Sequence, residues 1–245
     1  MELKWVGFDF GQCMMDPTGL RNHLVVGDVS KELGEPELVQ ERIHKYRILK
    51  EKYGSYSAVK EGHRDEIMSH VFDGRKQAPE IFSAKEQEHL LAGKGLEEAL
   101  KYLKSQGIQL SVVAELKKTL GAMGSDIVTR FLQNKKLTHY FDDVVTPQGK
   151  INLRDGSINH AYKGKTKEAG TLYDELIQDL AKLGISPSEG AMVGDKISTD
   201  IVPAKKRGFH TIQYTGYIDM PSGEAEYKID HFLKLKEIIK KKVGA

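Results

Sequence analysis

The sequence lacks most of the marks that assign a chain to a specialised class. Its one cysteine, Cys13, cannot form an internal disulfide, and the start MELKWVGFDF has no basic segment leading into a long apolar run. No apolar stretch approaches the ~20 residues needed to cross a bilayer as a helix. Charge of either sign is in little excess: 37 Lys and Arg against 35 Asp and Glu leave +2, without the basic footprint of a nucleic-acid binder. Repeats and low-complexity tracts are missing as well. These absences set the expectation of a cytoplasmic protein whose partner is a small-molecule substrate, not nucleic acid or membrane.

What is present is enough to build a core. The 245 residues fit one large α/β domain or a core with a small insert, and 39% hydrophobic against 29% charged residues describe a folded chain. Strand-sized apolar runs lie at 5–10, 108–113, 143–145, 191–193 and 211–214. Between them come helical spacings: Leu96, Leu100 and Leu103, then Leu172, Leu176, Ile177 and Leu180, then 201–207, closed by Gly107, Gly184 and Gly208. Alternating strands and helices predict an α/β fold with a mostly parallel sheet covered on both faces.

Residues 17–82 break the alternation with three helical patterns, at 20–33, 36–52 and 56–72. An insert straight after the first strand sits over the crevice where open α/β sheets bind ligands, so it is expected to act as a lid hinged near Asp16-Pro17 and near 91–95. Residues 150–162 predict a hairpin turning at Arg154-Asp155-Gly156-Ser157, and the lysine-rich 233–243 a solvated surface helix.

The candidate chemistry is carboxylate chemistry. Asp9 and Asp195 each end an apolar strand, and Asp200 follows near the next helix. Carboxylates at neighbouring strand ends repel unless a cation or proton lies between them, and Mg²⁺ prefers such oxygen ligands. The plainer alternative is that each acid only caps a strand end.

This order of segments resembles the haloacid dehalogenase (HAD) superfamily, a large group of α/β hydrolases. Its phosphatases end the first strand in a nucleophilic Asp, followed by a variable residue, an acid/base Asp, Gly, Thr and, three residues on, another Asp. Here Asp9 and Asp16 match in register, but Gly11, Gln12 and Cys13 stand for the acid/base Asp, the Gly and the Thr. The second motif, a strand ending in Ser or Thr often followed by Asn, is replaced by Ala114 and Glu115. Lys167 supplies the third motif, a lysine at the head of a helix, with Lys165 as the alternative. The fourth is the most specific match: Gly194-Asp195, four residues and Asp200, trailed by Ala204 and Gly208.

The resemblance covers essentially the whole chain. It implies a Rossmann-like three-layer core of residues 1–16 and 89–245 with a helical cap at 17–88. It further implies Asp9 as nucleophile and Lys167 as its charge partner, Mg²⁺ on Asp9, the Gly11 carbonyl, Asp195 and Asp200, and Gln12, Ala114, Glu115 and Lys165 around the substrate. The implied activity is Mg²⁺-dependent hydrolysis of a phosphorylated or phosphonate small molecule. Gly11 cannot protonate a leaving alkoxide, so the leaving group is expected to be an activated one. The opposing reading is a non-catalytic binding protein on the same fold. Dehalogenation ranks last, because dehalogenase relatives lack the acid that Asp195 provides. Glu115 is read as a helix N-terminal glutamate before it is read as a substitute acid. Cys13 is read as a small buried residue.

Overall fold

The computed structural model describes residues 2–16, 22–53, 64–115, 126–217 and 223–239, which belong to two compact units, Met1–Pro17 with Ala92–Ala245 and Thr18–Leu91. In chain order the strands are β1 (Trp5–Phe8), β2 (Met15–Asp16), β3 (Leu91–Ala92), β4 (Gln109–Val113), β5 (Asp143–Thr146), β6 (Gly149–Asn152), β7 (Ile158–Asn159), β8 (Gly190–Gly194), β9 (His210–Tyr214) and β10 (Tyr227–Ile229). Eight of them form one sheet in the order β10-β9-β8-β1-β4-β5-β6-β7, while β2 and β3 pair separately. The sheet is parallel from β10 to β5, and β6 and β7 extend it antiparallel.

β1 occupies the middle, with Phe8 in register with Val112 of β4 on one side and Val193 of β8 on the other. All four of its residues are buried, as both faces of a central parallel strand are covered. Successive side chains point to opposite faces. On one face Trp5 meets Phe209 at 5.4 Å between ring centroids and joins Leu172, Tyr173, Leu176 and Leu180. On the other, Phe8 contacts Phe141 and Phe232, each at 6.1 Å.

The helical unit, taken by itself, contains α1 (Asn22–Glu32), α2 (Val39–Tyr53), α3 (Arg64–Val71) and α4 (Ala78–His89). Val25, Val26, Val29, Tyr46, Leu49, Met68, Val71, Phe72 and Phe82 form its apolar centre. Three of these helices follow the sequence patterns, although 56–63 of the third pattern lies outside the described residues. The fourth, α4, carries no clear apolar stripe in the sequence. Pro79 fits its first turn, where no intrahelical N–H is needed, and Ala78 and Phe82 are its buried anchors.

In the sheet-bearing unit the helices are α5 (Leu96–Ser105), α6 (Ile127–Asn134), α7 (Thr171–Lys182), α8 (Val202–Lys205) and α9 (Leu235–Ile238). Leu96, Ala99, Leu100 and Leu103 bury one stripe of α5, and Asp126 caps α6 by accepting from the N–H groups of Val128 and Thr129 at 2.8 and 2.9 Å. The helix expected at 201–207 is present as the short α8, preceded by a π-turn at Ile197–Ile201. One expectation needs qualification. As far as it is described, the stretch from 233 holds the short α9 with Lys234 and Lys236 exposed, but it is not wholly solvated: Phe232 before it, Leu235 and Ile239 are buried, and Tyr102 of α5 donates to the Ile239 carbonyl at 2.8 Å. Its lysines masked a three-residue apolar footing that periodicity alone could not weigh. The hairpin is present as β6 and β7, with 160–162 a 3₁₀ turn instead of strand.

Beneath the sheet, the Trp5 indole N–H donates to the Ser111 hydroxyl at 2.8 Å, and Ser111 in turn bonds Asp143 at the start of β5. Burial pushes the Asp143 carboxyl up to about 6 against the pull of Ser111 and Lys150, and its Oδ1 has no partner. A carboxyl raised in the folded state stabilises most below its unfolded value near 4, and that contribution is lost as pH rises through about 6. We therefore expect Asp143→Asn to gain about 2 kcal/mol on wild type between pH 4 and 7, read from urea unfolding at the two ends. A constant difference across that range would show that Asp143 titrates normally.

Candidate active site

Three adjacent strand ends converge at the carboxyl edge of the sheet, where parallel α/β folds place their ligands. Asp9 follows β1, Asp195 follows β8, and Ala114 and Glu115 follow β4. The Asp9 N–H donates to the Val193 carbonyl at 2.8 Å and the Ala114 N–H to the Val145 carbonyl at 2.9 Å, so the edge is fixed by ladder bonds that continue past the strands. Asp200 enters from the π-turn after Asp195. Wide turns of this kind are rare and recur at functional sites. Its Oδ2 accepts the Lys196 N–H at 3.0 Å. Gly194 permits that approach, since a Cβ there would lie 2.4 Å from the Asp200 Cβ.

Lys167 comes from the loop before α7 and is buried almost completely. Its ammonium donates to Asp9 Oδ1 at 2.5 Å, to Asp200 Oδ1 and to the Val113 carbonyl at 3.1 Å. Oxygens of Asp9, Asp195 and Asp200 lie within 4.8 Å of one another. Three carboxylates and one ammonium leave a formal charge of −2 in a buried place, which a divalent cation would cancel. Asp195 Oδ1 is buried with no hydrogen-bond partner among the described residues, an acceptor left unspent. An all-oxygen donor set with one acceptor unspent suits a hard cation such as Mg²⁺.

The electrostatics follow from crowding. Burial, then the Asp200 charge, push Asp9 up to about 7 against the pull of Lys167, and burial with Asp200 pushes Asp195 up to about 6. Burial works against the Lys167 charge, but Asp200 and Asp9 overcome it and hold its pKa well above the lysine range. Burial and the same carboxylates push the Cys13 thiol up, away from the reactive thiolate, and its Sγ contacts the Val193 carbonyl at 3.8 Å.

The remaining sequence candidates divide. Gly11 forms an isolated bridge with Met15, and a Cβ on it would meet nothing within 4 Å. Gln12 adopts φ +62°, the left-handed backbone for which glycine is the easier residue. Ala114 is buried at the end of β4 and brings no hydroxyl. Lys165 is not in the cluster: its ammonium pairs with Glu175, whereas that of Lys167 lies between Asp9 and Asp200. Glu115 has a use that the sequence did not suggest, since its carboxylate accepts the Lys167 backbone N–H at 3.0 Å. Tyr173 was also missed as a support. Its hydroxyl donates to the Thr199 carbonyl at 2.9 Å, beside Asp200, and the only sequence signal was its place on the buried stripe of α7.

Residues 167–234 match the family described as HAD-hydrolase-like, a span that begins at the buried lysine and includes Asp195 and Asp200. Over that span the chain is similar to HAD-like hydrolases. A Clostridium perfringens protein named "Putative pyrophosphatase PpaX" is 29% identical over 146 residues, which is 58% of this chain and 57% of that relative. The match thus spans little more than half of each protein. Solved structures share this fold over nearly the full length. A HAD phosphatase from Thermococcus onnurineus superposes with TM-score 0.56 at 21% identity, covering 96% of this chain and 97% of that one. The magnesium-bound HAD-hydrolase YfnB of Bacillus subtilis gives 0.55 at 16%, covering 98% and 99%. A 2-haloacid dehalogenase from Pseudomonas syringae gives 0.53 at 17%, covering 96% and 97%. At these identities the structures establish the fold, and no helix among the described residues is long and apolar enough to cross a membrane.

Proposed function

We propose that this HAD-like chain is a Mg²⁺-dependent phosphohydrolase that uses Asp9 as nucleophile on a small phosphorylated or phosphonate substrate with an activated leaving group. The observation that carries the reading is the buried Asp9–Lys167–Asp200 contact beside the unpartnered Asp195 Oδ1. Asp9, the Gly11 carbonyl, Asp195 and Asp200 would hold the cation, whose charge neutralises the transferring group.

The chain's own residues do the rest. An Asp9 carboxylate oxygen attacks phosphorus, the bond to the leaving group breaks, and its electron pair departs on the leaving atom. Water then attacks the aspartyl phosphate, releasing phosphate and restoring the Asp9 carboxylate. Lys167 offsets the negative charge that gathers during both displacements and favours the ionised form of Asp9 against burial and Asp200. Gly11 has no side chain to protonate the leaving atom, so a leaving group that is stable as an anion is favoured.

A panel of alkyl, aryl and acyl phosphates and phosphonates, assayed with and without Mg²⁺, tests the reading. The expected result is metal-dependent turnover that falls at least about 10³-fold in Asp9→Asn. The second reading, a binding protein without turnover, is favoured by Ala114 and Gly11 standing where a hydroxyl and an acid would be. Inactivity on the whole panel, unchanged by Asp9→Asn, would establish it in place of the first.

A further inference from the structure

Lys167 is tied to the end of β4 at two points. Its backbone N–H reaches Glu115 Oε2 at 3.0 Å across 52 residues of chain, and its ammonium reaches the Val113 carbonyl at 3.1 Å. The strand end is itself pinned through Ala114, whose N–H is held by Val145. On the far side of the same lysine, the Gly170 N–H donates to the Lys167 carbonyl at 2.9 Å. Both polar groups of that peptide segment are therefore spoken for, one of them by a side chain.

That side chain is of an unusual kind for its place. An ionised carboxylate only accepts hydrogen bonds, so Glu115 cannot donate to an oxygen of a bound phosphoryl group, as an amide or hydroxyl there could. As an acceptor of a backbone N–H it is strong, because a charged partner makes a bond about twice as strong as a neutral one. A lysine side chain has many rotamers, and its ammonium is placed only as well as the backbone that carries it. Displacing a reacting group by about 1 Å is enough to cost on the order of 10²-fold in rate.

The geometry points to Glu115 as the positioning residue for Lys167: its carboxylate fixes the lysine's backbone so that the buried ammonium reaches Asp9 and Asp200 in one register. This rests on Lys167 acting as the charge partner of Asp9, but the contact itself can be tested without any turnover. Glu115→Met fills a similar volume without an acceptor, and Glu115→Gln keeps an acceptor without the charge.

In the full chain, hydrogen exchange read by mass spectrometry should show the Lys167 amide exchanging at least about tenfold faster in Glu115→Met, with β8 and α7 unchanged. In Glu115→Gln it should stay within about threefold of wild type. With Mg²⁺ present, binding of inorganic phosphate should weaken about tenfold in Glu115→Met and recover in Glu115→Gln. Unchanged exchange in Glu115→Met, or Glu115→Gln behaving like Glu115→Met, would overturn the assignment. If wild type fails to bind phosphate, the phosphohydrolase reading falls, while the exchange comparison still decides the role of Glu115.

Discussion

Replacing Lys167 by methionine should lower the melting temperature of the metal-free protein by roughly 10 °C. The ammonium lies between Asp9 and Asp200, both buried, and removing one partner of a buried charge pair costs about 3–5 kcal/mol, because the charge left behind is uncompensated. For a chain of this size each kcal/mol moves the midpoint by about 2–4 °C. The same substitution takes the cluster from a formal −2 to −3, so added Mg²⁺ should raise the variant's melting temperature by more than it raises that of wild type. Parallel melts in chelator and in Mg²⁺ check both halves. An unchanged midpoint would mean the lysine does not sit among the carboxylates, and a smaller Mg²⁺ effect in the variant would mean that these acids do not share a cation.

The second large effect concerns Gly11. Introducing an acid there, Gly11→Asp, should raise turnover of simple alkyl phosphates by about 10²-fold, the lower end of what general acid/base help contributes, and leave acyl phosphates within a few-fold. The site accepts the change sterically, since a Cβ on Gly11 meets nothing within 4 Å and its backbone lies outside the positive-φ region. Each factor of ten corresponds to about 1.4 kcal/mol in the barrier, so wild-type rates should climb steeply as leaving groups become more acidic. Equal wild-type rates on alkyl and acyl phosphates would show that some other group already delivers the proton.

What could be read in advance divides along physical lines. The five core strands were legible because a central parallel strand needs a continuous apolar run, as Ala191-Met192-Val193 shows. The Gly194-Asp195…Asp200 spacing was legible because Gly194 must lack a Cβ for Asp200 to fold back over it. Motif spacing put Lys167 ahead of Lys165, but the pairing of Lys165 with Glu175, ten residues on, was not legible. Glu115 escaped because its partner is an amide 52 residues distant, and a contact of that range leaves no local trace. The buried footing of Phe232, Leu235 and Ile239 was hidden among lysines whose charge describes the solvent side only.

Trp5, described above as a packing partner of Phe209 and a donor to Ser111, is also the chain's one indole, and it belongs to the sheet-bearing unit. Its emission is therefore blind to the inserted helices, which contribute no such fluorophore. Far-ultraviolet circular dichroism, by contrast, draws on the helices of both units. The two optical signals consequently address different parts of the molecule. Superimposable transitions would mean that the inserted unit and the sheet melt as one cooperative body, and separated ones that each holds its structure independently.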